Sequence, residues 1–230
     1  MLSVIIPTRN DERTLVPTLA SLVPGVADGV VRDVVIADGG STDGTLEVAD
    51  VAGCNVLGGG ACRGARLDAA ARRSKGPWLL FLEPGVTLGE GWRQEVRSLI
   101  DTLERSGREH RCAAVFRFGL DDFGAGARAA ERLAALRDAL TGLPQPEQGL
   151  LIHKRFYESV GGYRALPAMA EADLIRRIGR RRILRLRARA LASANRAPRR
   201  EGERTGLRAA LGEGLLMLRV PPSLVARLHD

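Results

Sequence analysis

The chain has 230 residues, of which 45% are hydrophobic and 27% charged, so it suits one soluble domain and argues against global disorder. No apolar run reaches the roughly 18–20 residues of a membrane-spanning helix. The first seven residues are predicted to open a strand rather than a signal peptide. Three cysteines without Cys-x-x-Cys spacing indicate neither a disulfide framework nor a zinc site, and they predict a reducing, cytoplasmic location.

Short β-branched runs alternate with helical stretches through the first half of the chain. Strands are predicted at residues 2–6, 33–37, 55–57 and 78–82, and helices at 12–22, 45–52, 61–74 and 91–106. The continuous apolar run W-L-L-F-L at 78–82 is typical of a strand that is buried on both faces. This alternation predicts an α/β fold of the Rossmann-like kind, an open, doubly wound, mostly parallel sheet with helices on both faces.

The second half of the chain is less regular. Strands are predicted at 112–118, 150–153 and 183–190, and helices at 127–140 and 170–178. After a linker near 197–206, four leucines recur at intervals of three or four between residues 207 and 218, which predicts an amphipathic C-terminal helix. That helix packs on the protein's own domain, or it contacts a second subunit or the inner face of a membrane.

The net charge of +8 comes mainly from arginines between residues 176 and 208. They include the run 180–182 and the alternating Arg185, Arg187 and Arg189. Such a surface attracts phosphate-rich partners, or it is simply a solvated face of the protein. Aromatic residues are only 4% of the chain and do not interleave with the arginines, so nucleic acid is not a predicted partner.

Polar residues follow the first two predicted strands, at the edge where a doubly wound sheet binds its ligands. The first strand leads into P-T-R-N-D-E at 7–12, and the second into A-D-G-G-S-T-D-G-T at 37–45. Glycines in the second turn allow the backbone to approach a ligand closely. The first turn lacks the Gly-x-Gly-x-x-Gly fingerprint and the chain has no Walker A motif, which argues against a nicotinamide dehydrogenase and a P-loop NTPase.

Four motifs in this order resemble those of the family 2 glycosyltransferases, which have the GT-A fold. They are V-I-I-P-T-R-N-D-E-R-T-L at 4–15, V-V-I-A-D-G-G-S-T-D-G-T at 34–45, W-L-L-F-L-E-P-G-V at 78–86 and M-A-E-A-D-L-I-R-R-I at 169–178, the last preceded by G-G-Y at 161–163. The closing V-P-P-S-L-V-A-R-L at 220–228 is similar to the tail of a small bacterial subgroup described as arsenosugar-biosynthesis-like. The resemblance implies a GT-A domain over 1–195, with a nucleotide-binding half at 1–110 and an acceptor-side half at 111–195. A linker and C-terminal helices would follow at 196–230.

The resemblance implies transfer of a sugar from a nucleotide-diphosphate sugar to an acceptor hydroxyl, with inversion at the anomeric carbon. Glu171 would act as the catalytic base toward that hydroxyl. Asp38 would hydrogen-bond the nucleobase. The residues implied in donor binding are Pro7, Thr8, Arg9, Asp11, Asp38, Gly39, Arg63, Arg66 and Asp68.

Several of these donor residues have a structural alternative. Arg63 and Arg66, near the start of the third predicted helix, either reach phosphate oxygens or are charges on a helix surface. Asp68 either faces the nucleotide or forms an i,i+4 pair with Arg72.

The two carboxylates of A-E-A-D at 170–173 open a predicted helix, where negative charge is favoured whatever its function. Residues two apart on a helix point in different directions. If Glu171 faces the sugar, we expect Asp173 to cap the helix or to pair with Arg176 or Arg177.

The resemblance also implies a Mg²⁺ or Mn²⁺ ion after the fourth predicted strand, where relatives carry an Asp-x-Asp pattern. This chain reads Glu83-Pro84-Gly85, so the second carboxylate is missing. Divalent cations bound with substrate phosphates usually use one or two carboxylates. Three hypotheses arise: Glu83 supports a cation alone, arginines compensate the diphosphate charge, or the protein is a degenerate relative that binds nucleotide or acts as a scaffold without turnover.

Overall fold

The computed structural model describes residues 1–59, 62–121, 144–166 and 169–193, which form one eight-stranded sheet flanked by helices. The strands are β1 (Leu2–Thr8), β2 (Val31–Asp38), β3 (Asn55–Gly58), β4 (Trp78–Phe81), β5 (Val86–Leu88), β6 (Ala113–Leu120), β7 (Leu150–His153) and β8 (Ile183–Ala192). The helices are α1 (Glu12–Ala27), α2 (Thr45–Val51), α3 (Arg63–Arg73), α4 (Trp92–Arg105), α5 (Lys154–Ser159) and α6 (Ala170–Ile178), with 3₁₀ turns at Pro146–Gln148 and Arg180–Arg182.

The strand order is β3-β2-β1-β4-β7-β6-β8-β5. Strands β1 to β4 are mutually parallel, β7 runs antiparallel to both β4 and β6, and β5 is antiparallel to β8. The predicted mostly parallel, doubly wound sheet is therefore confirmed. The carboxyl ends of β1 to β4, and those of β6 and β8, all point to one edge of the sheet, which we call the site edge.

The core has two layers, one on each face of the sheet. In β4, Trp78 and Leu80 join the cluster beneath α1 and α4, whereas Leu79 and Phe81 join the cluster beneath α3 and α6. All four side chains are buried, as the apolar run at 78–82 predicts. Burial on both faces holds β4 in the middle of the sheet. The position of β4 in turn fixes the position of the residues that follow it in the chain.

Two predicted boundaries are wrong because distant packing extends the elements. Strand β1 continues through Pro7, which is tolerated there because β4 pairs with β1 only as far as Ile5. Helix α1 continues past its predicted end at residue 22 to Ala27, despite two internal prolines. Its Gly25 lies so close to Trp92 of α4 that a Cβ would be 2.6 Å from the indole ring.

Strand β5 was not predicted, and it is only three residues long. The predicted helix at 127–140, the linker near 197–206 and the amphipathic C-terminal helix lie outside the described residues. The predicted contacts of that last helix with a membrane or a second subunit stay predictions. Within the described ranges, no helix is long and apolar enough to cross a membrane.

Strands β6 and β8 change register along their length. Val115 lies opposite Arg185, but Arg117 lies opposite Arg189, so two steps of β6 span four of β8. The backbone N–H groups of Arg187 and of the next residue, an alanine, donate to the carboxylate of Glu95 on α4, each at 2.6 Å. This carboxylate satisfies donors that the irregular pairing removes from the ladder.

Candidate active site

Two polar turns at the site edge are bound to each other by side chains. Asn10, with a left-handed φ of 57°, donates its backbone N–H to Ser41 Oγ at 2.9 Å and accepts from the Thr42 N–H at 2.8 Å. The N–H of Asp11 donates to Thr45 Oγ1 at 2.8 Å. Much of the polar sequence after β1 and β2 therefore builds a fixed wall, and a ligand at this edge meets a preformed surface.

Asp38 organises the second of these turns. Its side chain is buried, with 3% exposed, and it accepts hydrogen bonds from the Thr8 and Ser41 hydroxyls and from the N–H groups of Gly40 and Ser41. Burial opposes ionisation, but the bonds from Ser41, Gly40 and Thr8 outweigh it and lower the pKa of Asp38. The carboxylate is thus a fixed negative charge at the carboxyl end of β2.

Replacing Asp38 by alanine should weaken nucleotide binding by roughly 1–3 kcal/mol, because the turn loses an acceptor and its buried donors are left unpaired. The fold should survive. Calorimetric titration with UDP and GDP measures the effect, and Asp50→Ala, at an exposed position on α2, is the matched control. Equal nucleotide affinities for Asp38→Ala and the wild-type protein would remove Asp38 from the site.

Arg63 lies between the predicted metal carboxylate and the predicted catalytic base. Its Nε donates to Glu171 Oε1 at 2.7 Å, and its Nη2 donates to Glu83 Oε1. The exposed fractions of the Arg63, Glu83 and Glu171 side chains are 27%, 11% and 23%. Burial disfavours the charged guanidinium, but Glu83 and Glu171 hold the pKa of Arg63 well above its ordinary value. A permanent cation therefore joins two carboxylates. We call these three residues, Arg63, Glu83 and Glu171, the Arg63 cluster.

The Arg63 cluster requires a close approach of α3 to the segment before α6. At Gly64, a Cβ would overlap the carbonyl oxygen of Arg164 and would lie 3.2 Å from the Ala170 Cβ. The absence of a side chain at this position lets the first turn of α3 reach the first turn of α6. Arg63 and Glu171, 108 positions apart in sequence, meet for this reason.

Arg66 lies one turn further along α3 and is also directed inward. It is buried, with 7% exposed, and a Cβ on Gly39 would be 2.8 Å from its Nη2. The turn after β2 thus lies directly against this guanidinium, and the absence of a side chain at Gly39 leaves room for it. The alternative prediction that Arg63 and Arg66 are charges on a helix surface is wrong, whereas their contact with phosphate stays a prediction.

Two neighbouring carboxylates have structural partners. Asp68 accepts from Arg72 Nε at 2.8 Å and from the Tyr157 hydroxyl at 2.9 Å, so the i,i+4 pair is confirmed and α3 is tied to α5. Its role toward the nucleotide stays a prediction. Asp173 is buried and accepts from Arg177 Nε at 2.8 Å, which confirms the expected pairing of Asp173 with an arginine of its own helix.

A pocket opens at the site edge between the end of β4, α6 and the segment at 144–149. Its lining includes Pro7, Glu83, Val115, Tyr163 and Glu171. The Tyr163 ring packs edge-on against Phe81, with centroids 5.0 Å apart. Burial, and then the charge of Glu171, raise the pKa of Tyr163, so its phenol stays neutral. Tyr163 was not among the predicted site residues, although the G-G-Y motif pointed to it.

The remaining predicted donor residues lie at the end of β1 and in the turn that follows it. Thr8 is buried and its hydroxyl donates to Asp38, whereas Arg9 is exposed. The Asp11 carboxylate accepts from the Arg9 N–H at 2.8 Å and from the Thr14 hydroxyl at 3.0 Å. Asp11 precedes α1, but its side chain forms no capping hydrogen bond to the helix. Its carboxylate instead shapes the turn that carries Arg9.

The segment that replaces the metal motif is a tight turn. Glu83-Pro84-Gly85-Val86 has proline followed by glycine at a φ of 80°, and the Val86 N–H donates to Glu83 O at 3.2 Å, as in a type II turn. The Gly85 N–H donates to Thr18 Oγ1 at 2.9 Å. In the described part of the chain, no group of three or more His, Cys, Asp or Glu side chains could hold a metal. The one carboxylate at this end of β4 is ion-paired to Arg63, and support of a cation by Glu83 alone stays a prediction.

Chelation with EDTA should change donor nucleotide binding by less than about tenfold, roughly 1.4 kcal/mol. Calorimetry with UDP, with and without Mn²⁺, measures this. Gly85→Asp restores the second carboxylate and should strengthen the coupling to Mn²⁺, at a stability cost of roughly 1–3 kcal/mol because of the left-handed φ. Tight, stoichiometric Mn²⁺ binding by the wild-type protein with UDP would show that this interpretation of Gly85 is wrong.

The sheet order and the site edge define an α/β protein of the GT-A glycosyltransferase type. The sequence model for Glycosyl transferase family 2 matches residues 3–121, just over half of the chain, and the chain belongs to this family. Among curated proteins, no sequence matches it.

Solved structures agree with this fold. Glucosyl-3-phosphoglycerate synthase from Mycobacterium tuberculosis, bound to Mn²⁺, UDP and glucosyl-3-phosphoglycerate, is 22% identical with a TM-score of 0.58, over 96% of this chain and 81% of that one. TarS (residues 1–349) of S. aureus, bound to UDP-GlcNAc, is 14% identical with a TM-score of 0.67, over 99% of this chain and 70% of that one. At these identities the likeness shows the fold.

Proposed function

We propose that this protein transfers a sugar from a nucleotide-diphosphate sugar to an acceptor hydroxyl and inverts the anomeric configuration. The observation that carries the proposal is the Arg63 cluster. Through it, a carboxylate after β4, a cation on α3 and a carboxylate opening α6 meet beside one pocket at the site edge. Glycosyl transfer needs a base for the acceptor and positive charge for the leaving diphosphate, and this cluster holds both.

The donor would bind across residues 1–110. Pro7, Thr8 and Arg9 would line the nucleoside pocket together with Asp11, and Asp38 would fix the turn that meets the nucleobase. Arg63 and Arg66 face the same edge and would share the diphosphate charge, because a guanidinium matches phosphate oxygens in a bidentate manner. The neighbours' bound UDP and UDP-GlcNAc make uridine donors the first to test.

The acceptor would bind in the half at 111–195, against Glu171. As the acceptor oxygen attacks the anomeric carbon, its proton passes to the Glu171 carboxylate and the bond to the diphosphate oxygen breaks. The leaving diphosphate takes the electron pair of that bond, and the charge it develops is stabilised by the two arginines.

A second candidate is a degenerate relative that binds nucleotide without turnover. The observation that favours it is the E-P-G-V turn, where Gly85 supplies no second carboxylate. Both candidates require the nucleotide pocket, and they differ only in whether a sugar is transferred once the donor has bound.

Thermal unfolding with UDP, GDP and their sugar conjugates, with and without Mn²⁺, tests both candidates, followed by an assay for release of the nucleotide diphosphate. Stabilisation with release supports the transferase, and stabilisation without release supports the degenerate protein. If no nucleotide raises the unfolding temperature, both are wrong. Asp38→Ala serves as the pocket-deficient control.

A further inference from the structure

An apolar stripe lies exposed along α1. Val16, Val23 and Val26 are 51%, 62% and 53% exposed. Together with the half-buried Leu19 they occupy positions i, i+3, i+7 and i+10, which lie on one side of a helix. Apart from residue 1, the exposed large apolar residues within the described ranges all lie on α1, α2 and β3. Exposed apolar residues that are gathered in one patch, unlike scattered ones, mark an interaction site.

The stripe lies on the flank of α1 that adjoins α2. The opposite flank is occupied, because Gly25 lies against Trp92 of α4. The hydroxyl of Thr45, the first residue of α2, accepts a hydrogen bond from the turn before α1, so the two helices start side by side. Val48 and Val51 follow Thr45 at steps of three, and Val51 is 84% exposed. The valine face, as we call this surface, consists of Val16, Leu19, Val23 and Val26 of α1 with Val48 and Val51 of α2.

The last described strand ends beside α1. The Ser193 N–H donates to the Gly85 carbonyl at 3.0 Å, and the Gly85 N–H donates to Thr18 Oγ1 of α1 at 2.9 Å. Residues 194–206, when fully extended, span roughly 45 Å. Helix α1, with 16 residues, is only about 24 Å long. The sequence from residue 207 onward can therefore reach any part of the valine face.

The sequence that follows matches the valine face in pattern and length. Its leucines recur at steps of four, four and three, and they are Leu207, Leu211, Leu215 and Leu218. On a helix these positions form one apolar stripe about 16 Å long, and the stripe from Val16 to Val26 is about 15 Å long. Two apolar stripes of equal length can bury each other completely.

The charges of the two surfaces are also complementary. Helices α1 and α2 together carry three carboxylates and one arginine, although the whole chain has a net charge of +8. Residues 194–219 carry six arginines and three glutamates. Opposite charge around an apolar contact fixes its register and disfavours other partners.

We propose that residues 207–218 of this chain form a helix that docks its leucine stripe on the valine face. A covalently attached segment is present at an effective concentration of about a millimolar, which favours it over a second copy of the chain or a separate partner. Docking would bridge α1 and α2, which start at the two polar turns of the site edge, and would brace those turns from outside. The proposal does not depend on sugar transfer.

Hydrogen exchange of the full chain, followed by mass spectrometry, tests the docking. Amides of residues 207–218 should exchange at least about tenfold more slowly than those of an unfolded chain, and Val16→Gln/Val23→Gln should remove this protection. Glutamine favours a helix more than valine does, so α1 itself should be retained. Val56→Gln, at an exposed valine of β3 outside the valine face, is the matched control and should leave the exchange unchanged.

A second measurement approaches the contact from the other side. Leu211→Gln/Leu215→Gln should lower the unfolding temperature as much as Val16→Gln/Val23→Gln. The four changes together should lower it no further, because either pair removes the same contact. Additive effects of the two pairs would overturn the proposal.

Three other outcomes would also overturn the docking. The first is exchange of residues 207–218 in the wild-type protein as fast as in an unfolded chain, and the second is equal loss of protection in Val56→Gln. The third is protection that depends on another molecule. If it rises with protein concentration together with a dimer seen by sedimentation, a second copy occupies the valine face, and if it requires phosphatidylglycerol vesicles, a membrane does.

Discussion

Turnover is expected to fall about 10²–10⁴-fold in Glu171→Gln, with donor affinity little changed, because the amide keeps the size of the side chain but cannot accept the acceptor's proton. The Glu171 carboxylate opens α6 beside the pocket and is held at 2.7 Å from Arg63 Nε. The measurement is steady-state kinetics on an identified acceptor, together with calorimetric titration of the donor nucleotide.

The matched control is Asp173→Asn, two residues further along the same helix. Asp173 is buried and ion-paired with Arg177, so its substitution should lower thermal stability more than it lowers rate. This contrast separates a loss of chemistry from a loss of structure around α6. Near-wild-type turnover in Glu171→Gln would end the assignment of the base.

Arg63→Met is expected to lower the free energy of unfolding by roughly 2–3 kcal/mol, somewhat less than the 3–5 kcal/mol typical of a fully buried pair, because these side chains are partly exposed. The substitution leaves the carboxylates of Glu83 and Glu171 close to each other without the cation that they share. The same change should reduce turnover by about 10²–10³-fold, because the leaving diphosphate loses a fixed positive charge.

The Arg63→Met variant also tests which group compensates the negative charge of the diphosphate. With Arg63 removed, Glu83 and Glu171 become available to a cation, so Mn²⁺ binding by Arg63→Met should exceed that of the wild-type protein, as measured by electron paramagnetic resonance of free Mn²⁺. Arg72→Met, at an exposed arginine of the same helix, should leave unfolding and Mn²⁺ binding unchanged. If Arg63→Met behaves like Arg72→Met in every measurement, the Arg63 cluster has no role in the site.

The elements that could be predicted are those whose signal is local. The W-L-L-F-L run of β4 indicates its own burial, and the stretch at 170–178 gives the bounds of α6 as the structure has them. The extension of α1 could not be predicted, because it depends on the contact between Gly25 and Trp92 of another helix. Strand β5 was missed because its three residues acquire their conformation by pairing with β8, at the far end of the sheet.

The candidate site, like the fold, could be predicted only in part. The family resemblance implied Arg63, Glu83 and Glu171 one at a time, but their meeting depends on how closely α3 and α6 approach, which Gly64 permits. The turn at 83–86 could have been predicted, because proline followed by glycine is typical of a type II β-turn. The sequence motif indicates only a missing carboxylate, while the structure gives Gly85 a backbone role as well.

The antiparallel strand β7 has a consequence for how this protein diverges from its relatives. The chain completes β1 to β4 before β7 is added beside β4, and the family match also ends before β7, at residue 121. Helix α6 and strand β8 follow β7, and Glu171 lies in α6. Under the proposed function, the turns proposed to bind the donor and the base proposed for the acceptor lie in separate stretches of the chain. Under that proposal, substitutions after β7 would alter the surroundings of Glu171 while the backbone of the turns after β1 and β2 stays as it is.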